Sequence, residues 1–241
     1  MQGWRQRGSI WQLRPSWPKG LVEFIGGTYL AATPQVSYKR LLENLCEADL
    51  AIHAWTYIPG LDHQGQARDA WMAFRQSRRQ LEDRSGTLLS PLRLGHSLGC
   101  KLHLLAPDGG RGDHGLVALS FNNFQADQSI PLLKEIAPRL GIKTEFSPGP
   151  QETLRLIARS YVQERNLVVS FGRDELDQSD DLLQALRQRA RDSTEFLRLP
   201  GDHLTPASAG LRRNLLGAWA DDPKRVSIIN RLTQIICQWA S

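Results

Sequence analysis

The sequence Leu92-Arg93-Leu94-Gly95-His96-Ser97-Leu98-Gly99 sets a serine between two glycines, where a short apolar run gives way to a helical one. That spacing suits nucleophilic chemistry. A strand that turns sharply into a helix leaves no room for side chains on its flanks. Gly95 and Gly99 let the two elements pass closely while Ser97 stands at the apex. The helix opening at Leu98 points its positive end at that apex, and the Leu98 N–H can donate to an oxygen that gains charge during acyl transfer. The motif carries meaning because it stands between strand and helix.

Other chemistry is poorly served. Cys46, Cys100 and Cys237 are an odd, sparse set, which argues against a disulfide framework, and no pair makes a Cys-x-x-Cys zinc half-site. Asp174, Glu175 and Asp177 cluster but lack the alternating carboxylates and central glycine of a calcium loop. No metal and no cofactor are expected.

The elements around the serine follow from periodicity. Residues 21–25, 50–58, 92–94, 116–121, 167–171 and 195–199 read as strands; the runs at 116–121 and 167–171 are apolar enough to be covered on both faces. Helical spacing recurs at 37–48, 66–81, 98–105, 182–189 and 225–240. Strands alternating with helices build right-handed βαβ units, so the fold class is α/β, a mostly parallel sheet covered on both faces. Residues 122–163 break the rhythm with four prolines and two helix-like pieces, at 130–140 and 151–161. They read as a small helical cap inserted into a single domain spanning 1–241.

Composition fits a globular chain. Its 241 residues are 41% apolar and 23% charged, which excludes disorder and fibrous repeats. No apolar run approaches the roughly 18 residues of a membrane span. The first fifteen residues lack the apolar core of a secretory signal, and the sparse cysteines suit a reducing compartment, so a cytoplasmic location is expected. The net charge of +5 comes from arginines such as Arg75, Arg78 and Arg79, read as a solvated helix face, not a nucleic-acid footprint. Trp4, Trp11 and Trp17 interleave with Arg5, Arg7 and Arg14; they read as a hairpin packing on the sheet edge, not as a stacking platform for single strands.

With GHSLG as its elbow, the chain resembles the α/β-hydrolase superfamily from residue 21 to its final helix. The stretches FIGGTYLAATPQVSYKRLLENL, GHSLGCKLHLL, DELDQSDDL and LPGDHLTP are similar to one uncharacterised family within it, found in photosynthetic bacteria and plastids and labelled a domain of unknown function. The resemblance implies nucleophile, acid and histidine in that chain order. His203, in a loop just after the 195–199 strand, takes the last place. The acid falls after the strand at 167–171, where Asp174 is preferred and Glu175 and Asp177 are alternatives. The second oxyanion donor falls at Gly26-Gly27-Thr28, as the backbone N–H of Gly27 or Thr28. The implied activity is hydrolysis of a small-molecule acyl substrate, an ester or thioester, through an acyl-enzyme. A binding module that kept the scaffold without turnover is the alternative, and a nucleic-acid role rests on charge alone.

Overall fold

A computed structural model describes residues 3–28, 30–86, 90–124, 145–207 and 222–241. In chain order the strands are β1 (Arg5–Arg7), β2 (Ile10–Leu13), β3 (Gly20–Ile25), β4 (Leu50–Trp55), β5 (Leu92–His96), β6 (Gly115–Leu119), β7 (Arg165–Phe171) and β8 (Ser193–Leu199). They form one sheet in the order β1-β2-β4-β3-β5-β6-β7-β8. β1 with β2 and β2 with β4 pair antiparallel; every later pair is parallel.

The helices are α1 (Pro34–Ser37), α2 (Lys39–Glu47), α3 (His63–Ser85), α4 (Leu98–Leu104), α5 (Pro150–Ser160), α6 (Ser179–Arg187) and α7 (Pro223–Ala240). Alternate strand residues serve opposite faces. Val22, Phe24, Ile52, Val117 and Val169 meet Leu41 and Leu45 of α2 and Ile229 and Ile236 of α7. On the other face Ile25 and Trp55 meet Phe74 of α3 and Leu102 of α4, while Val168 meets Ile157 of α5 and Leu186 of α6. Two covered faces explain the near-continuous apolar strands. No helix among the described residues is long and apolar enough to cross a membrane.

Three expectations change. The helix expected at 37–48 breaks at Tyr38, whose φ of −118° and ψ of 22° leave the helical region and turn its ring into the core. The helix-like piece at 151–161 is α5, and its buried Ile157 joins it to the sheet layer as the crossover between β6 and β7. That piece is therefore not part of a cap, and the piece at 130–140 lies outside the described residues. Asn123 Nδ2, shortly after β6, donates to the Pro150 carbonyl at the start of α5 at 3.0 Å. Trp4 and Trp11 pack against the core as a sheet-edge hairpin should, but Trp17 is 85% exposed.

One row of the sheet is polar and buried. Gln12, His53, Glu23 and Arg93 are register neighbours on β2, β4, β3 and β5. Arg93 is satisfied by Asp113 at 2.7 Å and Asp108 at 2.6 Å. Burial, with Arg14 and Arg78 nearby, pushes the His53 ring down to about 3. Burial likewise pushes His63 and His96 down to about 3, and His103 well below its ordinary value. Each ring stays neutral in the fold but takes a proton when the chain unfolds below its ordinary pKa of 6.5. Their contribution is complete above about pH 6.5 and is lost as pH falls toward 3. Glu23 opposes them: burial pushes it up to about 7 against the pull of Arg78 and Arg93, so it favours the fold as pH falls from 7 toward 4.5. The melting temperature should therefore fall from pH 7 to pH 5, and fall more steeply in Glu23→Gln. Equal slopes in thermal melts of the two proteins would contradict this electrostatic account.

Candidate active site

β5 ends at His96 and α4 begins at Leu98, so Ser97 is the whole connection. Its φ of 55° and ψ of −123° lie where side chains are rarely tolerated. Such strain costs about 1–3 kcal/mol and persists only where the surroundings enforce it. Here the Ser97 N–H is tied to the Leu119 carbonyl at the end of β6, 2.9 Å away. The flanking glycines are forced by contact. A Cβ on Gly99 would stand 2.0 Å from the Ile25 carbonyl oxygen, and one on Gly95 would stand 2.7 Å from the Cys100 backbone.

His203 follows β8 and Asp174 follows β7, neighbouring strands whose exits are joined by backbone bonds. Gly172 N–H donates to the Leu199 carbonyl, and Arg173 N–H to the Gly201 carbonyl, both at 2.9 Å. The His203 loop is clamped further by Asp202, which accepts from Arg225 of α7 and from the Leu204 N–H. The result is one line of side chains. His203 Nδ1 lies 2.9 Å and 3.0 Å from the two Asp174 carboxylate oxygens, and His203 Nε2 lies 2.9 Å from Ser97 Oγ. A carboxylate only accepts, so Nδ1 carries the proton and Nε2 is left as the acceptor for the serine hydroxyl. Burial alone would raise the Asp174 carboxyl, but hydrogen bonds from His203 and the Leu176 N–H outweigh it and hold the group below its ordinary value.

The other two carboxylates lie apart from the ring. Glu175 is exposed. Asp177 accepts from the Ser179 N–H and hydroxyl at the start of α6, at 3.1 and 2.5 Å. Leu98 is the first residue of α4, where a backbone N–H has no partner within its helix. Gly27 lies against the serine, since a Cβ on it would stand 3.0 Å from Ser97 Cβ. Its N–H, however, donates to Tyr38 Oη at 2.8 Å, which removes it as a free oxyanion donor and leaves Thr28. Tyr38 and His96, which also stand behind the elbow, escaped the sequence reading because nothing in the spacing relates positions 38 and 96. Among the described residues no group of three or more His, Cys, Asp or Glu side chains is arranged to hold a metal ion.

Comparison with solved structures agrees on the scaffold. A soluble variant of monoglyceride lipase from Saccharomyces cerevisiae, solved with a substrate analogue, superposes with a TM-score of 0.68 at 12% identity, covering 99% of this chain and 94% of the other. A monoacylglycerol lipase from Paleococcus ferrophilus gives 0.61 at 14% identity, covering 96% and 98%. Est1E from Butyrivibrio proteoclasticus gives 0.60 at 15% identity, covering 95% and 93%. These likenesses establish the α/β-hydrolase fold. No curated protein matches the chain. Residues 3–223 match the model of the family described as "Protein of unknown function (DUF1350)", and to that family the chain belongs.

Proposed function

We propose that the protein is a serine hydrolase that cleaves a carboxylic ester or thioester through an acyl-enzyme on Ser97. The observation that carries this reading is the unbroken line from Ser97 Oγ through the His203 ring to the Asp174 carboxylate, each link 2.9–3.0 Å. In this account His203 Nε2 takes the serine proton as Oγ attacks the acyl carbon, and Asp174 stabilises the imidazolium that results. The carbonyl oxygen gains its charge facing the N–H groups of Leu98 and Thr28. Collapse expels the alcohol or thiol, which collects the proton from His203. Water, activated by the same ring, then hydrolyses the acyl-enzyme and restores the serine.

The solved structures named as a monoacylglycerol lipase and a monoglyceride lipase make esters the first substrates to try. The test is a series of p-nitrophenyl esters and acyl-coenzyme A thioesters of increasing chain length, followed before steady state. A burst of leaving group equal to the enzyme concentration is expected, with a clear optimum of acyl length. Absence of burst and turnover across both series would favour a binding module on the hydrolase scaffold.

A further inference from the structure

Behind the elbow a second line of hydrogen bonds runs through side chains that the proposed reaction leaves unused. Gly27 N–H lies 2.8 Å from Tyr38 Oη, Tyr38 Oη 2.8 Å from His96 Nδ1, and His96 Nε2 2.8 Å from the His203 carbonyl oxygen. Tyr38 is fully buried and His96 is 1% exposed, so water does not compete for these groups.

The direction of every proton in this line follows from its two ends. The His203 carbonyl can only accept, so His96 Nε2 must carry the ring proton. Burial keeps the ring neutral, pushed down to about 3, which leaves Nδ1 as an acceptor. Tyr38 must then donate its hydroxyl proton to Nδ1, and its oxygen lone pair receives the Gly27 N–H, which can only donate. Each member has one arrangement that satisfies it; the reverse tautomer would set the bare Nε2 lone pair against a carbonyl oxygen. Buried networks that are fully satisfied in this way hold their parts rigidly.

We propose that Tyr38 and His96 are positioning residues, a relay that fixes the backbone of His203 from behind the nucleophile while Asp174 fixes its ring. The proposal rests on the serine-hydrolase reading and adds to it how the His203 loop is registered to the elbow. Ser97 and His96 are adjacent in the chain, so anchoring the His203 carbonyl to His96 ties the base to the turn that carries the nucleophile. The relay also explains why Gly27 points its N–H away from an oxyanion.

Two substitutions of similar polarity separate this role from mere filling of space. In His96→Gln the side-chain amide reaches the place of Nε2 and keeps a donor for the His203 carbonyl. In His96→Asn the amide reaches only the place of Nδ1, so it keeps Tyr38 and loses His203. The readout is the rate at which a fluorophosphonate probe modifies Ser97, with thermal melts confirming folded protein. His96→Asn should slow labelling about 100-fold, the usual effect of a catalytic group displaced by about 1 Å, while His96→Gln stays within about 10-fold of the parent. Parental labelling in His96→Asn, or equal loss in both folded variants, would overturn the relay. Nitrogen-15 NMR of the parent's imidazoles reads the relay without either variant: His96 should be neutral with its proton on Nε2, and a proton on Nδ1 would overturn it. A parent that refuses the probe would instead sink the nucleophile reading, while the tautomer would still decide the relay.

Discussion

Replacing Ser97 with alanine is expected to lower ester turnover by about 10⁶-fold, the loss seen when a triad nucleophile is removed. Stability should hardly change. Serine and alanine carry the same Cβ into the backbone of φ 55° and ψ −123°, so the strain is common to both. Among the described residues the hydroxyl's hydrogen-bond partner is His203 Nε2, which keeps its Asp174 bonds on the other side of the ring. Ser97→Gly supplies the control: equally inactive, but more stable by about 1 kcal/mol, because glycine occupies this backbone region without penalty. An alanine variant with substantial turnover, measured on the best ester of the series, would remove Ser97 from the mechanism.

Asp174→Asn should lower kcat by about 10⁴-fold with the fold intact, the usual cost of losing the partner that sets the tautomer of a catalytic histidine. An asparagine amide facing Nδ1 drives the ring proton to Nε2, where it faces Ser97 Oγ and can no longer accept. The neighbours give the comparison. Glu175 is exposed, so Glu175→Gln should leave kcat close to the parent's. Asp177 accepts from the N–H and hydroxyl of Ser179, the first residue of α6, so Asp177→Asn should cost stability, at most about 1 kcal/mol, and little activity. Steady-state kinetics on the three variants decides the matter; a crippled Asp177→Asn beside an active Asp174→Asn would overturn the assignment.

Much of the scaffold was legible because its signals are local. The runs at 116–121 and 167–171 announce strands covered on both faces, and the glycines at 95 and 99 announce the turn that only close packing demands. Asp174 was preferable to Glu175 and Asp177 on distance from the strand end, and the structure sets that one of the three against His203. What was hidden depends on pairs distant in sequence. Glu23, His53 and Arg93 each look like a blemish in an apolar strand, and only the register of β3, β4 and β5 reveals one buried row. Tyr38 sits within an amphipathic stretch that reads as an unbroken helix, while its hydroxyl serves residues 27 and 96. The helix at Pro150–Ser160 reads as part of the insertion because it follows a proline-rich stretch between two strong strands, yet Ile157 belongs to the sheet layer. Trp17 shares the spacing of Trp4 and Trp11, but the β2–β3 connection leaves it in solvent.

The central claim is that Ser97 is an activated nucleophile and not merely a hydroxyl on a tight turn. Intact-mass analysis after treatment with a fluorophosphonate reads that property directly, without knowledge of the natural substrate. One adduct per chain is predicted, located on Ser97 by peptide mapping, absent from Ser97→Ala and strongly slowed in Asp174→Asn. A folded parent protein that gains no adduct, or gains it at another residue, would contradict the account.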